Sequence, residues 1–500
     1  MILLSAEETR SFEALVRQRM SLDERALIAR AGLAAAGFIE RRLGSPSGKR
    51  IAVFCGKGNN AADGLALAAL LAARGARVEA VLAFEAGRLG AEARAALDQA
   101  LGAGVTAVPL DGAAAALGRA ELAVDALVGT GARLPLGPPL AGLVRLLEDQ
   151  KVPVLALDLP SGLDPDSGAA PGPCVRAAWT ITFLAGKLGL CLGEGPARAG
   201  EIALEPLGAD PAWAGAQASR YGQESARAAL KPRPRGLHKR DAELLVVAGS
   251  AEYLGAGILC ARAAYRAGAG LVRLALPEPL APFAQSAMPE AVVAGLPASG
   301  ALGEMHLEAL LALAAQADAA VVGPGLGRRD ETLALVRELW ARLPMPALFD
   351  ADALGALRPG AAPGGERVLT PHEGEIRRML GPQALDRGRA AAARTLAASF
   401  SAVALLKGPS TLVATPGGAL SVDNEGTPVL ATAGTGDVLS GAIGALLAQG
   451  LDAWDAARLG AWAHGRSAAA WSRRNGDRGL LATDLAEGLP AALAQAFWQS

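Results

Sequence analysis

The sequence predicts an α/β protein with two domains, the first of them built on a parallel, doubly wound sheet. Three observations lead to this prediction. The chain has 500 residues, more than one hydrophobic core usually serves. Short apolar runs alternate with helix-like stretches in both halves, which is typical of strands joined by right-handed helical crossovers. The alternation fails between about residues 208 and 240, so we predict domains at 1–224 and 225–500.

The first half supplies four short apolar runs that end in glycine or in polar residues. The predicted strands are 51–55, 78–82, 122–127 and 154–158, and the helices between them include 61–74 and 91–101. Ser21 with Glu24 three positions later is a capping-box pattern, which predicts a helix that begins at Ser21.

The second half repeats the alternation after a linker-like stretch at 231–236 that is rich in proline and arginine. The predicted strands are 244–248, 271–276, 319–322, 347–350, 368–370 and 403–407. A hairpin at 411–422 turns at Pro416-Gly417-Gly418, and a long helix starts near Gly436.

Composition excludes several classes of function. The formal net charge is −1, which argues against a nucleic-acid partner. No apolar stretch is long enough to cross a bilayer, and the first residues do not resemble a signal peptide. The four cysteines show no Cys-x-x-Cys spacing, so buried free thiols are expected: Cys55, Cys174, Cys191 and Cys260. These features together predict a cytoplasmic protein without membrane contact.

Open α/β sheets bind ligands at the carboxyl ends of their strands, and the first candidate segment has that position. Gly58-Asn59-Asn60-Ala61-Ala62-Asp63-Gly64 follows a predicted strand and opens a predicted helix. Glycines allow close backbone approach, and the free N–H groups of a helix start favour phosphate. An ordinary strand-to-helix turn capped by Asn and Asp would have the same pattern, so both interpretations stay open.

Two further strand ends carry oxygen-bearing side chains. Asp125 lies inside an apolar run, where a carboxylate is costly unless it is paired or binds a cation. Asp158 ends the next run, and Ser161 follows it in a turn. Asn60, Asp125 and Ser161 together offer oxygen ligands for a cation, which leaves Asp158 for acid–base chemistry.

These segments, in this order, resemble the NAD(P)H-hydrate epimerases over about residues 7 to 207, including 180–183 and Lys187. The resemblance implies a Rossmann-like domain in which Asn60, Asp125 and Ser161 bind potassium. It implies that Asp158 acts at the hydrated ring carbon. Substrate contacts are implied at Asn59, Asn60, Asp63, Gly129, Thr130, Gly131 and Pro135. The chain departs from the family at Ala61-Ala62, which replace two glycines and add Cβ atoms where a close backbone approach is expected.

The clearest motif of the second half is Gly434-Thr435-Gly436-Asp437, which ends a loop and starts an apolar helix. Its glycines and helix N-terminus can stabilise negative charge on a phosphoryl group. Asp437 could then take the proton from a substrate hydroxyl. The alternative is an Asp that only stabilises the helix start, worth about 0.5–2 kcal/mol.

Other strand ends of the second half carry polar or glycine-rich segments. Lys407 to Thr411 place a cation and hydroxyls where nucleotide phosphates could bind. The sequence has no Walker-type Gly-x-x-x-x-Gly-Lys-Ser/Thr, which argues against a P-loop ATPase. The remaining segments are 249–256, Gly323-Pro324-Gly325-Leu326-Gly327, Asp350 with Asp352, and Thr370-Pro371-His372.

This set, over about residues 237 to 496, resembles the ribokinase-like enzymes and, among them, the NAD(P)H-hydrate dehydratases. The resemblance implies that Asp437 is the catalytic base. The hydrate would also contact Ala256, Gly325 and His372. Adenine-nucleotide contacts are implied at Lys407, Gly408, Ser410, Thr411, Gly434, Thr435 and Gly436. Departures from the family at Arg240, Glu373 and Thr427 bear on loop shape.

The whole chain therefore resembles bifunctional repair enzymes that join both activities. The first domain would interconvert the R and S hydrates of NADH and NADPH, and the second would dehydrate the S form with ADP to give AMP and phosphate. Potassium, magnesium with ADP, and a homo-oligomer are expected. Two alternatives stay open: a small-molecule hydroxyl kinase with the same Gly-Thr-Gly-Asp motif, and a first domain that is a non-catalytic nucleotide-binding module.

Overall fold

The computed structural model describes residues 1–148, 151–233, 235–236 and 238–497, and the chain folds into two compact units, Met1–Ser219 and Arg220–Ser500. The predicted boundary at Ser225 lies within the helix Gln223–Ala229 and stays a prediction. The predicted linker at 231–236 and the predicted start of the dehydratase-like region fall partly on Pro234 and Leu237, which lie outside the described residues.

The first unit contains a seven-stranded parallel sheet in the order β4-β3-β2-β5-β6-β7-β9. The strands in this part of the chain are β1 (Ile2–Leu4), β2 (Arg50–Cys55), β3 (Arg77–Leu82), β4 (Thr106–Val108), β5 (Leu122–Ala126), β6 (Val154–Leu157), β7 (Trp179–Phe183), β8 (Gly186–Lys187), β9 (Glu201–Glu205) and β10 (Ala218–Arg220), of which β1, β8 and β10 lie outside this sheet. Its helices are α1 (Ala6–Met20), α2 (Glu24–Leu43), α3 (Asn59–Ala73), α4 (Ala91–Gly102), α5 (Ala113–Arg119), α6 (Leu140–Glu148), α7 (Leu188–Cys191) and α8 (Gly195–Arg198).

Both faces of this sheet are covered, because successive residues of its strands enter different cores. Val53 and Cys55 of β2 pack into the core that contains α2 and α3, whereas Ala52 and Phe54 pack into the core that contains α6. The strand order reverses between β2 and β5, which is where an open α/β sheet forms its ligand crevice.

The second unit continues the alternation with a sheet in the order β13-β12-β11-β14-β15-β16-β17-β18-β19, parallel as far as β17 and antiparallel in its last two pairings. Its strands are β11 (Glu243–Val247), β12 (Leu271–Pro277), β13 (Val292–Leu296), β14 (Ala319–Val322), β15 (Ala347–Phe349), β16 (Arg367–Leu369), β17 (Val403–Leu406), β18 (Thr411–Ala414) and β19 (Leu420–Asp423). Its helices are α9 (Gln223–Ala229), α10 (Leu254–Ala267), α11 (Ala281–Ala287), α12 (Leu307–Ala314), α13 (Asp330–Arg342), α14 (Glu373–Leu380), α15 (Arg389–Phe400), α16 (Thr435–Ala448), α17 (Ala453–Asn475) and α18 (Ala482–Ala494). The α/β class predicted from the sequence is confirmed, as are the four buried free cysteines.

The predicted helix start at Ser21 is wrong. Ser21 is the C-cap of α1 in the left-handed conformation (φ 53°), and Asp23 caps α2 through a bond from the Ala26 N–H. The capping box of this region belongs instead to Ser5 and Glu8 at the start of α1. Strand β13, a partly exposed strand at the sheet edge, was not predicted although Val292–Leu296 form a short apolar run, because Gly295 inside the run weakens the strand signal.

Helix α3, which opens at the ligand crevice, packs closely on the sheet through Gly64. A Cβ atom added there would lie 2.5 Å from the Cβ of Ala126 and 3.2 Å from a methyl carbon of Val53. The contact therefore admits only glycine without a shift of helix or strand.

We expect Gly64→Ala to lower the unfolding free energy by about 1–3 kcal/mol, because the extra methyl group overpacks this contact. Gly118→Ala is the matched control, since Gly118 is an exposed helical residue with no atom within 4 Å of an added Cβ. It should be neutral or stabilise by up to about 1 kcal/mol. Urea unfolding measures both variants, and equal stabilities would contradict the packing argument.

Candidate active sites

The first candidate site is a cavity of about 560 Å³ in the first unit, within the usual size range of ligand pockets. It lies at the carboxyl ends of β2, β5 and β6. Seven of the residues predicted from the sequence line it: Asn59, Asn60, Asp63, Gly129, Thr130, Gly131 and Asp158. The structure therefore brings the three sequence segments together.

Asp125 and Ser161 form a buried pair behind this cavity. The Ser161 hydroxyl donates to Asp125 Oδ1 over 2.6 Å, and the Ser161 backbone N–H donates to Oδ2 over 2.8 Å. The N–H of Leu127 also donates to Oδ1. Burial raises the pKa of Asp125 to about 6, although these hydrogen bonds oppose the rise. The carboxylate is thus anchored by donors on two neighbouring strand ends.

Asn60 completes this oxygen-rich group. Its side-chain amide donates to the carbonyl of Val128 over 2.9 Å, and the same carbonyl lies 3.3 Å from the Ser161 hydroxyl. Among the described residues, no donor reaches the buried Oδ1 of Asn60. A buried amide oxygen without a donor is costly, and it can be satisfied by a cation.

Asp158 is held by Lys187, which carries part of the sequence resemblance but was given no role there. The Nζ of Lys187, which is 1% exposed, bonds to Asp158 Oδ1 and donates to the Thr182 hydroxyl (3.0 Å) and the Phe183 carbonyl (3.1 Å). Asp158 has a left-handed backbone (φ 67°), an uncommon conformation for a residue with a side chain. A Cβ atom added at Gly129 would lie 3.9 Å from its Oδ2, so one oxygen binds Lys187 and the other faces the Gly129 loop.

Two more carboxyl groups line the cavity. Burial, reinforced by Asp158 and Glu13, raises the pKa of Asp63 well above its usual value. Burial also raises the pKa of Glu13, with Arg17 opposing the rise. Asp63 was predicted from the sequence, whereas Glu13 on α1 was not, because a single glutamate on an amphipathic helix gives no signal of its own.

The departure at Ala61-Ala62 does not fill the site. Both side chains are fully buried in the core between α3 and the sheet, and neither lines the cavity. Pro135 is not among the cavity residues either, because it packs beside Gly172. Its predicted substrate contact stays a prediction.

The second candidate site lies at the carboxyl ends of β14 to β17 in the second unit. The Nζ of Lys407 donates to Asp350 Oδ1 over 2.9 Å, and the Ser440 hydroxyl donates to Oδ2 over 2.6 Å. Burial would raise the pKa of Asp350, but Lys407 and the Ser440 hydrogen bond outweigh it and lower the pKa. Burial opposes the charge of Lys407, but Asp350 keeps its pKa raised. Asp350 thus positions the lysine at the predicted nucleotide site.

Asp437 stands in the first turn of α16, close to this pair. The N-cap is Gly434 (φ 86°), which makes no side-chain cap, and a Cβ atom added at Gly436 would lie 3.6 Å from Lys407 Nζ. Burial and then the charge of Asp350 raise the pKa of Asp437 to about 7, with Lys407 opposing. No described residue accepts or donates a hydrogen bond with its carboxylate, so a purely capping role is not supported.

The glycine-rich loop after β14 brings predicted substrate residues together. A Cβ atom added at Gly325 (φ 63°) would lie 2.4 Å from the Tyr253 carbonyl and 3.1 Å from the Cβ of Ala256. Asp352 anchors the same loop, because it accepts from the Gly327 N–H and pairs with Arg328. Only a residue without a side chain fits at Gly325.

Two other predicted residues, His372 and Thr435, have structural partners, and Arg389, which was not predicted, contacts the predicted nucleotide loop. The His372 ring accepts from the N–H groups of Gly374 (3.0 Å) and Glu375 (3.3 Å) and so caps α14, with the ring about half exposed. The Thr435 hydroxyl donates within its own loop, to Leu430 or Thr432. Arg389 reaches the carbonyls of Lys407 and Ser410, two residues of the predicted nucleotide loop.

The remaining predicted nucleotide residues lie around this loop. A Cβ atom added at Gly408 would lie 2.1 Å from a guanidinium nitrogen of Arg389, so the loop and the arginine are tightly packed. Ser410 is buried, and Thr411 begins β18. Lys407 is anchored by a backbone bond to the Pro371 carbonyl, which sets it beside the loop that carries His372.

Fold and sites define an α/β protein of the enzyme type, with a candidate active site at the carboxyl ends of the strands in each unit. Comparison with known proteins identifies it further. A protein-family profile described as NAD(P)H-hydrate dehydratase matches residues 244–491, and one described as YjeF-related protein N-terminus matches residues 24–189. The chain belongs to the family of bifunctional NAD(P)H-hydrate repair enzymes.

Full-length relatives support this assignment. The bifunctional NAD(P)H-hydrate repair enzyme Nnr of Moorella thermoacetica is 37% identical over 99% of this chain and 97% of its own length. The enzyme of the same name from Salinibacter ruber is 36% identical over 99% of this chain and 96% of its own length, and that from Escherichia coli K12 is 37% identical over 96% and 92%.

Among solved structures, a crystal structure of ADP/ATP-dependent NAD(P)H-hydrate dehydratase from Bacillus subtilis is 30% identical, with a TM-score of 0.49, over 55% of this chain and 98% of its own.

We expect Lys187→Met to lower the unfolding free energy by about 3–5 kcal/mol, because it leaves Asp158 without its cation in a largely buried position. The double variant Lys187→Met/Asp158→Leu should recover most of that loss. Arg94→Met is the control, since its ion pair with Asp98 is exposed and worth less than about 1 kcal/mol. Denaturant unfolding measures these free energies. Equal losses for Lys187→Met and Arg94→Met would show that the Lys187–Asp158 ion pair does not stabilise the fold more than an exposed one.

Proposed function

We propose that the first unit interconverts the R and S hydrates of NADH and NADPH, and that the second unit dehydrates the S form with ADP, giving AMP and phosphate. The observation that carries this proposal is that both sites keep their acid–base groups in one chain that aligns with the bifunctional relatives over 99% of its length. The kinase alternative and the non-catalytic first domain account less well for this combination.

In the second site, Asp437 takes the proton from the hydroxyl on ring carbon 6 of the S hydrate. Its pKa of about 7 suits a general base at neutral pH. The hydroxyl oxygen attacks the terminal phosphoryl group of ADP, and AMP leaves. Lys407 and the N–H groups at the start of α16 stabilise the charge on the phosphoryl oxygens.

Phosphorylation turns hydroxide, a poor leaving group, into phosphate. Phosphate then leaves carbon 6, pushed by the ring nitrogen's lone pair, and loss of a proton from carbon 5 restores the ring double bond. Magnesium would be held mainly by the nucleotide's phosphates and by water, which needs no dedicated cage of carboxylates. Within the described residues, no group of three or more His, Cys, Asp or Glu side chains forms such a cage.

In the first site, Asp158 exchanges a proton with the hydroxyl on carbon 6, so that water leaves one face and returns to the other. Lys187 fixes one carboxylate oxygen, and the other faces the Gly129 loop. Potassium fits the oxygen set of Asn60, Asp125 and Ser161, because Asn60 Oδ1 has no donor among the described residues. When bound, the ion would supply positive charge for the substrate's phosphates.

The cellular setting is part of the proposal. Within the described residues, no helix is long and apolar enough to cross a membrane. That the enzyme works in the cytoplasm and as a homo-oligomer stays a prediction, and so do the individual ligand contacts given above.

Asp437→Asn should lower dehydration at least tenfold, and by up to about 10⁴-fold, while leaving R/S interconversion unchanged. In the wild type, kcat/KM for dehydration should rise with pH and level off above about 7, because only ionised Asp437 accepts the proton. The measurement is the return of NADH absorbance from S hydrate and ADP between pH 5.5 and 8.5.

The direction of the change in Tm shows whether the Asp437→Asn variant still folds. A carboxyl whose pKa is raised by folding costs the protein stability progressively as the pH rises from the ordinary value of 3.8 to the raised value of about 7, and the loss is complete above that pH. Asp437→Asn should therefore keep or raise Tm at pH 8. More than a tenth of wild-type turnover with an unchanged Tm would rule out Asp437 as the base.

Asp158→Ala should consume the S form of a mixed hydrate at near-normal rate with excess ADP, then stall with the R form left over. The wild type should convert both forms to NADH. Chromatography of the residual hydrates measures the outcome, and Asp111→Ala, at an exposed carboxylate of the same unit, is the control. Complete conversion by Asp158→Ala at the wild-type rate would mean that the first unit is a binding module.

A further inference from the structure

Two cations contact one aromatic ring at the edge of the first cavity. The Nζ of Lys57 lies 5.7 Å from the centre of the Phe84 ring, and the guanidinium carbon of Arg88 lies 5.2 Å from it. Lys57 and Phe84 line the cavity that contains Asp158, and Phe84 is half-buried. The mechanism proposed above uses none of these three residues.

Their place in the fold is informative. Lys57 follows β2 and Phe84 follows β3, and these strands are parallel neighbours in the sheet. The Gly90 N–H donates to the Lys57 carbonyl over 2.9 Å, and the Ala83 N–H donates to the Cys55 carbonyl over 3.0 Å. Backbone hydrogen bonds therefore join the two loops that carry Lys57 and Arg88.

Both cations are available to a ligand. Among the described residues, neither side chain takes part in an ion pair or a hydrogen bond, and both are exposed. Glu85 follows Phe84 and is also exposed, so an anion here would meet two cations and one carboxylate. A doubly charged phosphate would still gain from this balance, since cation–phosphate hydrogen bonds are among the stronger polar contacts.

The sheet topology indicates which phosphate group of a dinucleotide would lie beside these cations. In a sheet of this strand order a dinucleotide lies across the switch point, with its diphosphate at the N-terminus of the first crossover helix and its adenosine ribose at the end of the next strand. Here that helix is α3 and that strand is β3, and Asp158 lies on the opposite side of the switch point, after β6. An arginine at the ribose position suits a 2′-phosphate, whereas an acidic residue suits a free 2′-hydroxyl. Both kinds are present after β3, Arg88 and Glu85, but Lys57 on the same Phe84 ring makes the cations two against one carboxylate.

We propose that Lys57, Arg88 and the Phe84 ring form a site for the 2′-phosphate of the adenosine ribose, so that the first unit prefers hydrated NADPH to hydrated NADH. The inference rests on the proposed epimerase function. The competing source of the same chemistry is the diphosphate, which both substrates carry.

The test measures R/S interconversion by the full-length protein without ADP, so that the second unit does not consume the hydrates. The wild type should have a kcat/KM about tenfold higher for the NADPH hydrate. Lys57→Gln/Arg88→Gln should remove most of that preference through a higher KM and leave the NADH hydrate within about twofold. Lys57→Arg/Arg88→Lys should retain the preference.

Arg77→Gln is the matched control, because it removes an exposed cation at the other end of β3 and should change neither substrate. Equal losses for both substrates in the double variant would show that the cations bind the diphosphate and would overturn the proposal. So would a wild type without preference.

A binding measurement separates this inference from the proposed activity. Adenosine 2′,5′-bisphosphate should bind Lys57→Gln/Arg88→Gln about tenfold more weakly than the wild type, whereas 5′-AMP should bind both alike. If the wild type interconverted neither hydrate but this difference held, the epimerase function would fail and the phosphate site would stand. Unchanged affinity for the bisphosphate would reject the site regardless of activity.

Discussion

The level pairing of parallel strands is the constraint on which both sites depend. In the first unit Cys55 pairs with Ala126, and Asp125 pairs with Ala156, so three strands end at one height and their loops meet. The second unit repeats this arrangement, with Val322 beside Phe349 and Phe349 beside Leu369. Residues far apart in sequence thereby come within hydrogen-bond distance, without any loop having to be long.

The two sites handle a buried carboxylate in different ways. In the first, Lys187 neutralises Asp158 directly, so the site remains a compact ion pair with one oxygen free. In the second, Lys407 is engaged by Asp350, and Asp437 stands near both without a partner of its own. The first arrangement fixes the orientation of the Asp158 carboxylate through Lys187. The second leaves Asp437 with a pKa of about 7, so this carboxyl group can gain and lose a proton near neutral pH.

Much of the fold could be predicted because buried parallel strands are continuous apolar runs. Strands β2, β5, β6 and β14 were predicted to within one residue at each end. Strand β13 was not predicted, because Gly295 weakens the strand signal of its short apolar run. The start of α2 was misplaced, because Ser21 and Glu24 have the spacing of a capping box whereas Asp23 is the residue that caps the helix.

The site was predictable where polar residues interrupt an apolar run, as at Asp125 and Asp158. Partners contributed from elsewhere were not: Asp350 was noted, but its bond to Lys407 depends on tertiary structure, and Ser440 lies inside an apolar helix. Lys187 offered a signal that could have been used, since it lies between apolar stretches and a lysine there needs a partner. His372 was predicted to contact the hydrate, and the sequence did not reveal that its ring also accepts a hydrogen bond from the backbone N–H of Gly374.

The alanine pair at the start of α3 has a consequence for folding. Glycine loses more backbone entropy than alanine when a helix forms, at a difference of about 1 kcal/mol per residue. Ala61 and Ala62 are both helical and point into the core, away from the cavity. Relative to a chain with two glycines at these positions, this chain loses less backbone entropy when the first turn of α3 forms. Asn59 and Asn60 belong to this same first turn, so the turn that presents them to the cavity costs less backbone entropy to form.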